Sequence, residues 1–138
     1  MLNMFARYES SVSMIFDTDV LIWILRGNFK AADLVDAEAD RSVSLVTYME
    51  LVQGARNRQE LRQIKRFLVN AGFRVIPLSD SIGHRASIYI EEYGLGSSLG
   101  VADALIAATA VENAERFCTG NKRHYRSIKE LEIKEFRP

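Results

Sequence analysis

Short apolar runs alternate with longer amphipathic segments along most of this chain. Five runs have the length and composition of β-strands, and six segments between them have the apolar spacing of helices. The predicted strands cover residues 14–16, 43–46, 73–76, 116–119 and 132–134. The predicted helices cover residues 20–25, 30–39, 48–56, 60–70, 81–92 and 101–113. This alternation predicts an α/β fold in which helices cover both faces of a short parallel sheet, giving three α/β/α layers.

Residues 1–13 lack this pattern, because they are mixed and polar and show no period. We expect them to form an N-terminal extension that is disordered or that precedes the functional start at Met14. The remaining residues, 14–138, have the usual size of one compact domain, and an apolar fraction of 48% is ample for a single core.

Charge and cysteine content narrow the class of protein. Eighteen basic residues balance eighteen acidic ones, so a polyanionic partner must bind a local basic patch. The single cysteine, Cys118, excludes an internal disulfide and suits a reducing compartment. No apolar run approaches the roughly 20 residues of a membrane span, and the N-terminus has no apolar signal core. We therefore expect a cytoplasmic protein that does not associate with membranes.

The first predicted strand leads directly into two carboxylates, Asp17 and Asp19, where a helix must begin. Ligands of open parallel sheets bind at such strand ends. A carboxylate at a helix start can equally serve as a cap that accepts backbone N–H bonds. Both interpretations of these two residues are open at this point.

Two further acids lie at predicted helix starts. Glu50 fits a capping box with Thr47, so it has a structural explanation as well as a functional one. Ser127 and Glu130 fit a second capping box. Asp103 enters a helix that is apolar nearly all round, and it needs a polar partner there or a position facing a cleft.

Thr119 and Asn121 follow the fourth predicted strand, which can lie beside the first strand at the carboxyl edge of the sheet. Asp17, Glu50, Asp103 and Asn121 can then converge. Carboxylate and amide oxygens favour a hard dication such as Mg²⁺ or Mn²⁺. A metal held in this way can activate water for attack on a phosphodiester.

Four segments resemble those of a known family. They are Asp17-Thr18-Asp19-Val20-Leu21, residues 47–55 (TYMELVQGA), residues 102–110 (ADALIAATA) and residues 119–125 (TGNKRHY). In this order and at this spacing the chain resembles the PIN-domain nucleases, and among them the VapC-type toxins of toxin–antitoxin pairs. The resemblance runs from Met14 to about Phe136.

This resemblance implies a magnesium-dependent endoribonuclease with a Rossmann-like fold. Asp17, Glu50 and Asp103 would hold the metal, Thr119 would contribute a hydroxyl, and Asn121 would occupy a fourth polar position that is acidic in some relatives. Asp19 would then support the site without binding the metal directly.

The resemblance also implies three partners, which are an RNA substrate, a small cognate antitoxin and a second copy of the chain. The antitoxin's C-terminal segment would fill a groove that Trp23, Ile24, Leu25 and the helix at residues 60–69 could line. Either of two basic groups can reach RNA phosphates, and we favour the residues that follow Asn121, beside the candidate site, over Arg56, Arg58, Arg62, Lys65 and Arg66. Tyr48 and Tyr125 are candidates for stacking on bases. His124 would be structural or face the RNA.

Two alternatives stay open on the sequence. The first motif is close to that of a haloacid-dehalogenase-like phosphatase, in which Asp17 would be the nucleophile and Asp19 the general acid. A PIN module that binds RNA or protein without cutting is the other alternative.

Overall fold

The computed structural model describes residues 13–138. Within them, one five-stranded sheet has the order β3-β2-β1-β4-β5, and every pair of neighbouring strands is parallel. The strands are β1 (Met14–Phe16), β2 (Arg41–Ser44), β3 (Phe73–Ile76), β4 (Arg116–Thr119) and β5 (Ile133–Glu135). Strand order reverses between β1 and β4, and the carboxyl ends of these two strands therefore flank a crevice suited to ligands.

The helices are α1 (Thr18–Leu25), α2 (Phe29–Asp36), α3 (Leu45–Gln53), α4 (Arg58–Asn70), α5 (Asp80–Tyr93), α6 (Val101–Glu112) and α7 (Lys122–Tyr125). Within residues 13–138, none of these helices has the length and the apolar composition that crossing a membrane requires.

Side chains of β1 alternate between the two faces of the sheet, as the pleat of a strand requires. Met14 and Phe16 pack with α1, α2 and α4, whereas Ile15 packs with α5 and α6. The two apolar clusters lie on opposite faces, so the predicted three-layer α/β/α architecture is confirmed. The buried face of α6 consists largely of alanine, in agreement with the prediction that this helix lies in the core.

The boundary between β2 and α3 differs from the prediction. Ser44 ends the strand and caps the helix by accepting a hydrogen bond from the N–H of Val46, so α3 begins three residues earlier than expected. Thr47 consequently lies inside α3 and is fully buried. The predicted capping box of Thr47 with Glu50 is therefore wrong, because the hydroxyl of Ser44 reaches the first turn instead.

The second predicted capping box is also wrong. Ser127 lies in a turn after α7, and no helix begins there. Glu130 accepts hydrogen bonds from Tyr89 and Arg85 instead. The remaining predicted elements occur with small shifts of their ends, and α7 is an additional helix.

The predicted extension at residues 1–12 lies outside the described residues. Ser13, which we assigned to that extension, is buried against the sheet. Its hydroxyl lies 3.1 Å from the hydroxyl of Ser42 in β2.

Candidate active site

Asp17 lies at the junction of β1 and α1, where the crevice opens. Its Oδ1 accepts a hydrogen bond of 2.8 Å from the N–H of Thr18, so it caps α1. Its Oδ2 accepts a hydrogen bond of 2.8 Å from the hydroxyl of Thr119 at the end of β4. Only 5% of Asp17 is exposed. The residue therefore both caps the helix and joins the two central strands.

The surroundings of Asp17 disfavour its negative charge. Burial, together with the charge of Asp19, raises the pKa of Asp17 to about 7 despite the bonds from Thr119 and Thr18. Burial also raises the pKa of Asp19. Two carboxylates in a poorly solvated position favour a cation beside them, since a nearby positive charge would stabilise their ionised forms.

Asp19 connects α1 to the turn after β4. Its Oδ2 accepts hydrogen bonds from the N–H of Gly120 at 2.9 Å and from Nδ2 of Asn121 at 3.2 Å. Its Oδ1 is buried and has no hydrogen-bond partner among residues 13–138. A buried polar atom without a partner is uncommon and is a place where a ligand or water can bind.

Glu50 is attached to the same region through Thr18. The hydroxyl of Thr18 donates a hydrogen bond of 2.7 Å to Oε1 of Glu50, and its oxygen lies 3.0 Å from the hydroxyl oxygen of Thr47. Glu50 is otherwise exposed on α3. Its carboxylate is thus held next to the first turn of α1.

Asp103 lies in the first turn of α6 and has the polar partner that its position required. Its Oδ1 accepts a hydrogen bond of 3.0 Å from the hydroxyl of Tyr125. Its Oδ2 lies 3.5 Å from Nδ1 of His124. Both partners belong to α7, which starts directly after Asn121.

Among the five predicted site residues, the described part of the chain shows a direct hydrogen bond between Asp17 and Thr119, whereas Glu50, Asp103 and Asn121 bond to Thr18, Tyr125 and Asp19. Thr119 contacts Asp17 directly, whereas Asn121 reaches the site through Asp19. Within residues 13–138, no three His, Cys, Asp or Glu side chains form a complete metal-binding group.

Sequence reasoning missed the roles of three polar side chains. Thr18 and Thr47 lie beside Glu50, and Tyr125 binds Asp103. The interpretation of Tyr125 as a base-stacking residue is wrong, because its side chain is fully buried. The position of Thr18 between the two acids of the first motif was a sequence signal of a role in the site. Tyr125 gave no such signal, because its partner Asp103 lies 22 residues away in the sequence.

Cys118 in β4 carries a buried free thiol. Burial raises the pKa of Cys118 to about 12, so the thiol stays protonated and is a poor nucleophile at neutral pH.

A groove of about 620 Å³ runs between α1, α3 and α4. Apolar side chains of all three helices line it, and Glu50 is among the lining residues. Of the three residues of α1 that we expected in such a groove, Leu25 lines it but Trp23 and Ile24 do not. Trp23 instead packs against the apolar cluster below α1.

Two groups of basic residues flank the crevice and the groove. Lys122, Arg123, Arg126 and Lys129 are exposed on and after α7. None of these four forms an ion pair with a residue of the described part of the chain. The second group is Arg56, Arg58, Arg62, Lys65 and Arg66, in which Arg56, just before α4, pairs with Glu60 in the first turn of that helix.

Comparison with known proteins agrees with this geometry. The family model of the PIN domain matches residues 14–130. No curated protein gives a significant match. A toxin–antitoxin complex from Klebsiella pneumoniae contains a chain with 27% identity and a TM-score of 0.74, over 89% of this chain and 99% of that one.

Two further solved structures share the fold. VapBC-1 from nontypeable Haemophilus influenzae has 22% identity and a TM-score of 0.76, over 89% of this chain and 97% of that one. DNA-bound VapBC from Salmonella typhimurium has 18% identity and a TM-score of 0.77, over 90% of this chain and 98% of that one. Because the family model covers most of its length, the chain belongs to the PIN domain family.

Proposed function

We propose that this chain is a magnesium-dependent endoribonuclease and the toxin of a VapBC-type pair. The observation that carries the proposal is the buried carboxylate of Asp17, whose pKa is raised to about 7 by burial and by Asp19. A cation bound there would restore its ionised form. Family membership favours a nuclease over the phosphatase alternative.

The donors around the crevice suit Mg²⁺, and Mn²⁺ can substitute for it. They are oxygen atoms, which hard dications prefer. Mg²⁺ commonly keeps several waters and uses one or two carboxylates, so the lack of a complete three-residue group in residues 13–138 is compatible with it. Asp17 and Asp103 would hold the ion directly, and Glu50 would position one of its waters. When bound, Mg²⁺ would polarise the phosphodiester and lower the pKa of a coordinated water.

The other site residues would orient these carboxylates and the RNA. Thr119 holds Asp17 by a hydrogen bond, and Thr18 holds Glu50. The amide of Asn121 would bind a phosphate oxygen or a water near the crevice. Lys122 and Arg123, which follow on α7, would neutralise RNA phosphates close to the cleavage point.

The cognate antitoxin would occupy the groove between α1, α3 and α4. A similar solved structure is a toxin–antitoxin complex, and the groove on this chain combines apolar side chains such as Leu25, Leu51 and Ile64 with charged ones that include Glu50. A basic side chain of the antitoxin would pair with Glu50 and block the site.

We further propose that the toxin is cytoplasmic and forms a homodimer. Light scattering would detect the homodimer as a particle of twice the monomer mass.

A cleavage assay tests the enzymatic part of this proposal. Purified full-length protein is incubated with labelled single-stranded RNA in Mg²⁺, in Mn²⁺ and in EDTA. We expect cleavage that EDTA abolishes, and a loss of at least about a thousandfold in Asp17→Asn, as when a residue central to transition-state stabilisation is removed. Asp33→Asn is the matched control, because Asp33 is exposed on α2.

The outcomes separate the alternatives. Cleavage by Asp17→Asn at the wild-type rate would contradict the site assignment. RNA binding without cleavage in any metal would instead support the non-catalytic PIN module. Covalent trapping by beryllofluoride would support the phosphatase.

A further inference from the structure

The carboxylate of Asp103 is held by α7 and not by its own helix. Gly100 precedes α6 and offers no side-chain cap, and Asp103 lies in the first turn of this helix. The hydroxyl of Tyr125 donates to Oδ1 of Asp103, whereas His124 lies at the longer distance of 3.5 Å from Oδ2. Tyr125 is therefore the closest side-chain donor to this carboxylate.

Tyr125 is a rigid donor. Its side chain is fully buried, and its ring packs edge-on against Phe117 of β4 with 4.8 Å between ring centroids. Burial, together with the charges of Asp17 and Asp103, raises the pKa of Tyr125 far above its usual value. The phenol is protonated at neutral pH, so its hydroxyl acts as the donor in the hydrogen bond to Asp103.

A phenylalanine would fill the same apolar space, so packing does not account for the hydroxyl. A buried hydroxyl requires a hydrogen-bond partner, and here its partner is a site carboxylate. Phe117, on which the Tyr125 ring packs, pairs with Ile15 of β1, so Tyr125 lies beside the two strands whose ends carry Asp17 and Thr119.

We infer that Tyr125 is a positioning residue whose hydroxyl holds Asp103 in the orientation needed to share a metal ion with Asp17. This inference rests on the proposed function, because it concerns the same metal site. It adds a neutral hydroxyl on α7 to the groups that define the site. Side chains that orient metal ligands in this way typically change metal affinity by 10–100-fold when they are removed.

The variant Tyr125→Phe removes only the hydroxyl. Tyr89→Phe is the matched control, because Tyr89 also donates to a carboxylate, that of Glu130, and lies away from the crevice. Mn²⁺ affinity of the full-length proteins is measured by calorimetry, and melting temperatures are measured in EDTA. We expect Tyr125→Phe to bind Mn²⁺ at least about tenfold more weakly than wild type and Tyr89→Phe to bind it equally well.

The kinetics supply an independent readout. Tyr125→Phe should lower kcat for RNA cleavage while KM for RNA stays the same, because the hydroxyl is buried away from RNA. Wild-type Mn²⁺ affinity in Tyr125→Phe would overturn the inference and leave the proposed function intact. Mn²⁺ binding without RNA cleavage by the wild type would overturn the proposed nuclease, and the affinity comparison would still decide the role of Tyr125. A wild type that binds no Mn²⁺ would overturn both.

If Tyr125→Phe does not fold, NMR of the wild type decides. Tyrosines are labelled with ¹³C in the ring, and Tyr125 is identified by its contacts with Phe117. A change in the Tyr125 signal on addition of Mg²⁺, with no change for Tyr89, would support the inference. An unchanged Tyr125 signal during saturation with Mg²⁺ would overturn it.

Discussion

At the scale of single residues, Asp17 combines a structural role with a proposed chemical one. It caps α1 and also accepts the bond from Thr119 that joins β1 to β4. A role as helix cap does not prevent Asp17 from serving in the proposed site, because one carboxylate oxygen caps α1 and the other faces Thr119. This buried position destabilises the ionised form of Asp17, and that energetic cost falls on the folded state.

This cost predicts how stability depends on pH when no metal is bound. The pKa of Asp17 rises from 3.8 to about 7 on folding, so the folded state holds the proton more tightly than the unfolded state. Its contribution to stability is present below pH 3.8 and is lost as the pH rises through about 7. In EDTA at about pH 8, Asp17→Asn should therefore melt at a higher temperature than wild type.

Thermal unfolding followed by circular dichroism at several pH values provides the measurement. The gain in melting temperature should shrink towards acid pH, where wild-type Asp17 is neutral as well. Equal melting temperatures at alkaline pH would show that the buried charge of Asp17 does not destabilise the fold.

At the scale of elements, the turn between β4 and α7 controls the position of Asp19. A Cβ atom added at Gly120 would lie 2.6 Å from Oδ2 of Asp19, so the close approach requires glycine. Gly120→Ala must displace this carboxylate and weaken its bonds to the turn. We expect cleavage and Mn²⁺ affinity to fall at least about tenfold, as they do when groups that support a metal site move.

Gly96→Ala is the control for this change, because an added Cβ there meets no atom within 4 Å. Cleavage assays and calorimetry on both variants test the prediction. Wild-type activity in Gly120→Ala would show that Asp19 does not support the site.

The elements also show where local sequence signals are insufficient. Periodicity predicted the strands and six helices, because burial of an apolar face imposes a local spacing. It did not distinguish Ser44 from Thr47 as the cap of α3, since both are hydroxyl residues near the end of an apolar run. In the folded protein Ser44 is the cap, and Thr47 is buried within α3 beside Thr18.

At the scale of the whole molecule, acidic and basic residues balance, so the RNA binding that we propose would depend on local basic groups. The pair Lys122→Glu and Arg123→Glu should weaken binding of single-stranded RNA and reduce the salt slope of log K by about 1 to 2. The same charge change in Lys65→Glu and Arg66→Glu on α4 should have a smaller effect, because these residues lie on a helix that carries none of the proposed metal ligands.

Filter binding or fluorescence anisotropy at several salt concentrations measures both quantities, with Asp17→Asn as the background to prevent cleavage. Equal losses in the two double variants would place the RNA across both basic groups. A loss confined to the pair on α4 would contradict the binding surface proposed here.

The sequence by itself determined the α/β architecture, the parallel sheet and the acids at the starts of α1 and α6, which are Asp17, Asp19 and Asp103. These features follow from local spacing and from the rule that parallel strands present their carboxyl ends at one edge. Only the tertiary structure decided how those residues are connected. Thr18 meets Glu50, and Tyr125 meets Asp103, across separations of 32 and 22 residues. The raised pKa of Asp17 likewise depends on how many groups bury it, because desolvation is a property of the packed molecule and not of a motif.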